Sequence, residues 1–139
     1  MSDKISEALR AMIETDPFAK HLGAKLLDLA PGHSRMELHL GPEHGSVPGV
    51  THGGVTFALA EAALAAATHA HNLIHLALSV NVVFHASTKP GDKLIAEVRQ
   101  RHGGKRTASY SIEIQDQNEK SVASLQAMVY RTQKAVLEE

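Results

Sequence analysis

The stretch that decides the fold is residues 53–70, GGVTFALAEAALAAATHA. It is rich in alanine, has no proline and has no run of β-branched residues, so its helix propensity is high over about five turns. Between Val55 and Ala67, every position except Thr56 and Glu61 is apolar. A helix that is apolar on all sides is a buried helix. The sequence therefore predicts a long core helix over residues 53–70.

Helical and strand-like patterns surround this segment. An amphipathic helix is predicted over residues 5–13, ending at Asp16-Pro17. A hairpin with strands at residues 24–30 and 33–40 follows, and residues 41–51 have the composition of an irregular loop. After the long helix, four strands with short turns that suit antiparallel neighbours are predicted at residues 76–87, 93–102, 107–116 and 120–132. One antiparallel sheet packed on one apolar helix is the simplest way to bury both.

Alternation is clearest in the strand that follows the long helix. Its apolar residues fall at every second position, which predicts that they share one face of the strand: Leu76, Leu78, Val80, Val82 and Phe84. At the end of the chain, residues 135–139 are expected to fray.

Size and composition limit the functional classes. The 139 residues suit one domain, taken as residues 1–139. Fourteen Lys and Arg against fifteen Asp and Glu give a net charge of -1, so the positive field of a nucleic-acid or anionic-membrane binder is missing. The absence of cysteine excludes disulfides, thiolate metal sites and a cysteine nucleophile. With no signal-peptide core, and an apolar run too short for a bilayer of about 30 Å, a cytosolic protein is expected.

Glu61 is the candidate functional side chain of the long helix. A carboxylate in an otherwise apolar helix can lie in a low-dielectric pocket, where desolvation raises its pKa, or it can be held by a specific hydrogen-bond donor. A third interpretation places it at a rim, where the side chain reaches solvent or a surface cation. The sequence leaves these three open.

The start of the helix offers a second chemical feature. Gly53 and Gly54 let a ligand approach the backbone, and the first N–H groups of a helix have no intrahelical partner, so an anion or developing oxyanion can bind there. A glycine pair is also common at loop-to-helix junctions for conformational reasons alone. Along the helix axis Glu61 lies about 12 Å beyond Gly53. That distance is long for cooperation within one chain and leaves room for the helix N-terminus of a second subunit.

The order of elements resembles the hotdog-fold thioesterases, especially their phenylacetate-degradation-type branch in the 4-hydroxybenzoyl-CoA thioesterase superfamily. Residues 52–61, HGGVTFALAE, are similar to the family's His-Gly-Gly segment with an Asp or Glu at a fixed distance. Residues 79–84, SVNVVF, followed by Pro90-Gly91-Asp92, are also similar. The resemblance implies an α+β hotdog fold, in which one antiparallel β-sheet wraps around a long central α-helix.

An activity and an assembly are implied by the same resemblance. They are an acyl-CoA thioesterase without cofactor or metal, and a homodimer, often paired into a tetramer, with active sites between subunits. By this resemblance Gly53 supplies the oxyanion-hole N–H, Glu61 of the neighbouring subunit is nucleophile or general base, and His52 helps to place the thioester carbonyl. Where the family usually has Asn or Gln, six residues before His52, this chain has Ser46. Ser79 is the candidate for an assisting hydroxyl after the helix.

Further residues are expected to bind substrate or CoA. His102, Lys105 and Arg106 cluster in a glycine-rich turn, where they can meet the phosphates of CoA; the alternative is a solvated hairpin end. Gly54, next to the oxyanion donor, and His85, near the expected cleft, complete this set.

Ten histidines in one short chain invite a metal interpretation, and the densest group is His69, His71 and His75. Two of them could share a helix face only if the helix continued past Asn72, and no carboxylate falls within the group. No metal site is therefore predicted.

Two other functions remain open for this fold. A hydratase or dehydratase of acyl thioesters, by resemblance to related hotdog proteins, depends on a His and Asp pair, whereas this helix offers Glu61 without a histidine one turn away. A non-catalytic acyl-CoA-binding protein is a plausible alternative because Ser46 stands where an amide would be expected. The acyl group is not revealed, although Ala58, Ala62 and Ala65 leave room for an aryl or medium aliphatic chain.

Overall fold

The computed structural model describes residues 4–138. In chain order its α-helices and strands are α1 (Glu7–Glu14), α2 (Pro17–Leu22), β1 (Lys25–Ala30), β2 (His33–His39), α3 (Gly53–His69), β3 (Leu73–Phe84), β4 (Lys93–Gly103), β5 (Thr107–Gln115) and β6 (Ser121–Ala135), with a short 3-10 helix at Pro42–His44. Both predicted helices and all six predicted strands are present, with boundaries shifted by a few residues. Within these residues no helix is long and apolar enough to cross a membrane.

Helix α3 packs against one face of a single six-stranded antiparallel sheet. The small side chains of α3 allow the helix to lie close to the sheet. Two hydrogen bonds show this close approach: Ser34 Oγ donates to the Ala63 carbonyl at 2.6 Å, and the Gly32 N–H donates to the Ala67 carbonyl at 3.0 Å. The core between helix and sheet is aliphatic apart from one tyrosine, and its largest fully buried side chains include Tyr110, Met36, Leu38, Leu59, Leu94 and Ile112. The predicted buried helix is confirmed.

The order of strands in the sheet is β1-β2-β4-β5-β6-β3. Three predicted hairpin connections join neighbours as expected: β1 to β2, β4 to β5 and β5 to β6. The same expectation is wrong for residues 85–92, since β3 pairs with β6 while β4 pairs with β2. Because the β1–β2 hairpin occupies the position beside β4, strand β3 lies at the opposite edge of the sheet.

Strand β3 does not keep the predicted alternation. A register shift after Ala77 leaves Leu78 as an extra residue in a β-bulge, which changes the face on which later residues lie. Val80 and Val82 pack against the core under α3, whereas Leu76 and Leu78 are exposed, at 56% and 59%. The prediction that alternate residues of this strand share one face is therefore wrong.

Helix α2 lies outside the predicted elements. Asp16 caps it by accepting a hydrogen bond from the Ala19 N–H at 2.9 Å, Pro17 is its first residue, and Gly23 ends it with a φ of 92°. Proline just inside a helix start and glycine just past its end are a recognised pair of signals, so Asp16-Pro17 marks a second helix start as well as the end of α1.

The end of the described chain is held in place rather than frayed. Asn72, in a left-handed conformation with φ of 60°, accepts from the Leu137 N–H at 2.9 Å and donates from Nδ2 to the Leu137 carbonyl at 3.2 Å. The expectation of fraying is wrong for residues 135–137, it stays a prediction for Glu138, and Glu139 lies outside the described residues.

Candidate active site

The loop before α3 presents the helix N-terminus to solvent. His52 is the N-cap residue, and its Nδ1 accepts a hydrogen bond from the Gly54 N–H at 2.9 Å. Gly53 is the first helical residue, so its N–H has no carbonyl within the helix to bond. Both glycines are exposed. The Gly53 N–H is thus the donor that stays available for a ligand, and the partial positive charge of the helix end favours an anion there.

A half-open cavity of about 330 Å³ lies at Gly53. Phe84, the last residue of β3, forms its nearest wall: a methyl group added to Gly53 would lie 3.4 Å from Phe84 Cζ. Any larger side chain at this position would crowd the cavity, which gives a packing reason for glycine here. The lining residues are Thr51, Gly53, Thr56, Phe84, His85, Ala86, Ser87 and Thr88.

His85 lines the Gly53 cavity and is oriented by a chain of hydrogen bonds. Its Nε2 lies 3.0 Å from Ser124 Oγ, and the Ser124 hydroxyl donates to Glu113 Oε1 at 2.8 Å. Because that hydroxyl proton is given to Glu113, Ser124 Oγ accepts from His85 Nε2–H. The ring nitrogen Nδ1 of His85 is left as the acceptor.

Ser46 closes the loop before the helix. Its hydroxyl donates to the Val50 carbonyl at 2.9 Å, and its own N–H donates to the same oxygen at 2.7 Å. The hydroxyl proton is thereby used within the loop. A serine here can still accept a hydrogen bond, but it lacks the second polar group that an amide would carry.

Glu61 lies in a second half-open cavity, of about 120 Å³, between α3 and the β3–β6 edge of the sheet. Burial raises the pKa of its carboxyl above the ordinary value of 4.5. Within residues 4–138 it makes no salt bridge, and no hydrogen bond holds it. Of the three interpretations above, the one with a specific hydrogen-bond donor is not seen within residues 4–138, and the position of Glu61 in a partly open cavity favours the one with a raised pKa. The cavity is lined by Glu61, Leu64, Ala65, Thr68, His69, His75, Ala77 and Val129.

The two catalytic candidates do not share a cavity within one chain. Gly53 lines one and Glu61 lines the other, as expected from about 12 Å of helix between them. Strand β3, which passes both cavities, pairs with β6 on one side only and leaves its other edge unpaired within residues 4–138. Its exposed apolar side chains are Leu76, Leu78, Val83 and Phe84.

Comparison with known proteins gives this geometry a family. Residues 48–123, which include Gly53, Glu61 and strand β3, match the family model described as the thioesterase superfamily. The chain belongs to the thioesterase superfamily. This thioesterase is a thioester hydrolase with the hotdog fold, and both expectations from the resemblance are confirmed.

Full-length relatives of this thioesterase are similar over nearly all of it. It is 32% identical over 131 residues to the acyl-coenzyme A thioesterase PaaI of Escherichia coli strain K12, covering 94% of each chain. The structure of the E. coli PaaI protein from the phenylacetic acid degradation operon gives a TM-score of 0.87 at 31% identity over 91% of each chain. A mutant of the phenylacetic acid degradation protein PaaI from Thermus thermophilus gives 0.80 at 32% identity, covering 84% of this chain and 100% of that one.

The predicted basic turn of the thioesterase joins β4 to β5. His102, Lys105 and Arg106 are all exposed there, and none of them forms a salt bridge within the described residues. Arg131 on β6 holds the turn with two hydrogen bonds. Its side-chain Nη1 donates to the Gly104 carbonyl at 3.0 Å, and its backbone N–H donates to the Arg106 carbonyl at 2.7 Å. These three side chains are therefore presented to solvent on an anchored backbone.

Ser79 of the thioesterase lies on the opposite face of the sheet from α3. It is exposed beside Met128 on the neighbouring strand and lines an outer cavity of about 290 Å³ with Asn81 and Arg101. Within one chain the structure does not bring Ser79 to Glu61.

The histidine group of the thioesterase surrounds the end of α3. The ring centroids of His69 and His71 lie 6.4 Å and 5.9 Å from that of His75. Burial lowers the pKa of all three rings, which favours their neutral forms. His75 Nε2 is buried without a hydrogen-bond partner in the described residues. No arrangement of three or more His, Cys, Asp or Glu side chains that could hold a metal ion occurs in that part of the chain.

Sequence reasoning missed several residues of both cavities. Thr51 and Phe84 line the Gly53 cavity, while His69 and His75 line the Glu61 cavity. No histidine occurs one helical turn from Glu61, so sequence reasoning at that spacing finds no partner for it. His69 lies two turns away on the helix, and His75 lies on the next strand. A signal was available only for His69, which falls on the same helix face as Glu61 at an eight-residue spacing.

Proposed function

We propose that this thioesterase hydrolyses an acyl-CoA thioester to the free acid and CoA, at a site built from two chains. The observation that carries the proposal is the separation of the two half-sites: a partly buried, unpaired carboxylate in one cavity and a free helix N-terminus in another. The E. coli relative named an acyl-coenzyme A thioesterase, which covers 94% of this chain, supports CoA as the acyl carrier.

A second copy of the chain completes the site in this proposal. A 12-residue strand with a free edge and exposed apolar side chains is a surface that proteins cover by pairing or shielding. Pairing of β3 with β3 of a second copy continues the sheet and sets the two α3 helices side by side. Gly53 of the partner subunit then approaches Glu61, and each dimer contains two such sites. Pairing of dimers into a tetramer and a cytosolic location remain part of the proposal.

The chemistry divides between the two half-sites. The Gly53 N–H of the partner subunit donates to the thioester carbonyl oxygen as it gains negative charge, a contribution typically worth about 3 kcal/mol. Glu61 either attacks the carbonyl carbon or removes a proton from the attacking water. The C–S bond breaks, CoA leaves as a thiolate that takes up a proton, and water supplies the OH of the free acid.

The environment of Glu61 suits either role. A raised pKa makes its carboxylate a stronger base than an exposed glutamate, and the best general base has a pKa near the working pH. The proton that Glu61 takes from the attacking water can leave without a relay through a second side chain, because Glu61 is partly open to its cavity.

The remaining predicted residues take positioning roles in the proposal. His52, which caps the helix through Gly54, holds the Gly53 N–H in place. His85, at the same cavity, is set to contact the pantetheine arm of CoA. The side chains of the β4–β5 turn that meet the CoA phosphates are those of His102, Lys105 and Arg106.

The test of this function is a panel of acyl-CoAs assayed for free thiol with the native chain and with Glu61→Ala. General base or nucleophilic catalysis is worth about two to four decades in rate, so Glu61→Ala should lose at least that much turnover while its thermal unfolding and oligomer size stay native. Near-native turnover by Glu61→Ala would remove the mechanism.

The same panel decides between the alternatives. Because His69 and His75 share the Glu61 cavity, addition of water to an enoyl-CoA is a specific second reaction to assay. Hydration without thiol release would identify a hydratase, and tight acyl-CoA binding without either reaction would identify a binding protein.

A further inference from the structure

Two half-open cavities share part of their lining on α3, one to two turns beyond Glu61. The first is the Glu61 cavity, of about 120 Å³, and the second, of about 260 Å³, lies between α3, β2 and the corner where α1 meets α2. Ala65 and His69 line both cavities, because they follow Glu61 at one and two helical turns. The second cavity is walled largely by apolar side chains, among them Met12, Ile13, Met36, Ala62 and Val136.

Two polar side chains along this path, Thr68 and Asp16, make hydrogen bonds within the chain. Thr68 Oγ1 donates to the Ala65 carbonyl at 3.1 Å, and Asp16 accepts from the Ala19 N–H as the cap of α2. Burial lowers the pKa of His69, which favours the uncharged ring, and the unpaired Nε2 of His75 is itself shielded from solvent. Beyond Glu61, the surface left for a ligand is therefore mainly apolar.

We propose that these two cavities together form the acyl pocket, and that the substrate class is a medium-chain aliphatic acyl thioester. The inference rests on the proposed function, since Glu61 at one end of the path fixes the position of the thioester carbonyl. From that carbonyl the acyl chain of the substrate runs along the Glu61 cavity, passes Ala65, and ends between Met12 and Met36.

Cavity size and shape favour a flexible chain over a rigid ring. An apolar cavity of about 150 Å³ is known to hold benzene, and the Glu61 cavity of one chain, at about 120 Å³, is smaller than that. An aliphatic chain can bend at Ala65 and continue into the larger cavity. Methionine side chains at its far end are unbranched and adapt to irregular apolar ligands.

Ala65 lines both cavities, so in this proposal the acyl chain passes its methyl group on the way from one cavity to the other. Leucine at this position has high helix propensity and would project into the passage, while the residue is only partly buried, so the fold should accept it. Each methylene that enters an apolar pocket improves binding by roughly fourfold. Blocking the passage should therefore remove the advantage of chains long enough to pass Ala65.

The experiment compares kcat/KM for acetyl-, butanoyl-, hexanoyl-, octanoyl- and phenylacetyl-CoA. We expect the native chain to prefer octanoyl-CoA over butanoyl-CoA and over phenylacetyl-CoA. Ala65→Leu should lower the octanoyl-to-butanoyl ratio by about tenfold or more. Met12→Trp, which fills the far cavity from the exposed side of α1, should lower the same ratio in an otherwise native pocket. The matched control is Ala11→Leu, exposed on α1 and lining neither cavity, which should leave the ratio unchanged.

The outcomes separate the inference from the function on which it rests. The acyl pocket would be overturned if the octanoyl-to-butanoyl ratio stayed unchanged in both Ala65→Leu and Met12→Trp, or if the native chain preferred phenylacetyl-CoA. In either case, loss of thiol release in Glu61→Ala would still support the proposed hydrolase. Thiol release from none of the five substrates would remove the proposed function, and the acyl pocket with it.

Discussion

At the scale of single residues, the proposed hydrolysis depends on Glu61 and Gly53. Glu61 is the one charged side chain of α3, it is partly buried, and within residues 4–138 it has no ionic partner. Gly53 offers a backbone donor that the helix itself does not use. Each property follows from local chemistry, namely desolvation for the carboxylate and the orphan N–H of a helix start for the glycine.

Gly53→Pro tests the oxyanion donor without removing the helix start. Proline is favoured at the first helical position, and the extended backbone of His52 (φ -65°, ψ 132°) suits the residue before a proline. The substitution deletes only the N–H donor, apart from added bulk near Phe84, so kcat should fall by about two to three decades. Steady-state kinetics measure this.

Gly53→Ala is the matched control, because it adds bulk at the same place and keeps the N–H. If the alanine variant loses as much activity as the proline variant, crowding against Phe84 and not the missing donor explains the effect.

Glu61→Gln should raise the melting temperature at pH 7. The pKa of Glu61 is raised by burial, so the carboxyl contributes stability that is full below its ordinary pKa of 4.5 and is lost as pH rises through the raised value. At pH 7 the buried charge of Glu61 lowers the stability of the folded chain, and glutamine carries no such charge. At pH 4 the difference in melting temperature between the native chain and Glu61→Gln should be smaller. Thermal unfolding at both pH values measures it, with exposed Glu14→Gln as the control. An equal shift at both pH values would contradict the assignment.

At the scale of secondary-structure elements, the β4–β5 turn is a small cationic surface on an anchored backbone. Its position at the end of two paired strands was predictable from the glycine pair between them, and its side chains are exposed as expected. What the turn binds is a proposal. Exposed cations act mainly through long-range attraction, which salt weakens.

Arg106→Glu should raise KM for acyl-CoA several-fold at low salt and less at high salt, because the reversed charge repels the CoA phosphates. An acyl thioester of N-acetylcysteamine carries no phosphate and should be unaffected. Lys120→Glu, at an exposed position in a different turn, is the matched control. Equal changes in KM for both thioesters would show that the turn is a solvated hairpin end.

The helices and strands could be predicted from local sequence, whereas the bulge in β3 could not. The helices and strands were predictable because their periodicities are local, and α2 could have been predicted from its Asp16-Pro17 start and its Gly23 end. The bulge at Leu78 could not, because it is defined by pairing with β6, about 50 residues further along the chain. That bulge decides which residues of β3 face α3 and which face solvent.

At the scale of the whole molecule, the order of strands leaves β3 with a free edge next to both half-sites. This placement turns two incomplete cavities of one chain into the proposed shared site of two. Activity should then depend on self-association, which is a property of the assembly and not of any single residue.

Leu78→Lys should dissociate the proposed dimer and abolish turnover while the chain stays folded. Leu78 is 59% exposed in the bulge of β3, so the fold of one chain does not need it, and a lysine on an edge strand opposes pairing. Light scattering and thiol release measure the two effects. Leu27→Lys, on the opposite edge strand β1, is the matched control and should remain associated and active. A Leu78→Lys monomer with native turnover would disprove the shared site.

The sequence by itself determined the long apolar helix, its single carboxylate, the glycine start and the six strands, because helix and strand periods and helix-end chemistry are written in neighbouring residues. Only the tertiary structure decided that β3 lies at the sheet edge beside β6, that its bulge sets Val80 and Val82 on the opposite face from Leu76, and that Gly53 and Glu61 line different cavities. The physical reason is that strand pairing and cavity shape depend on contacts between residues distant in sequence, which no local pattern specifies.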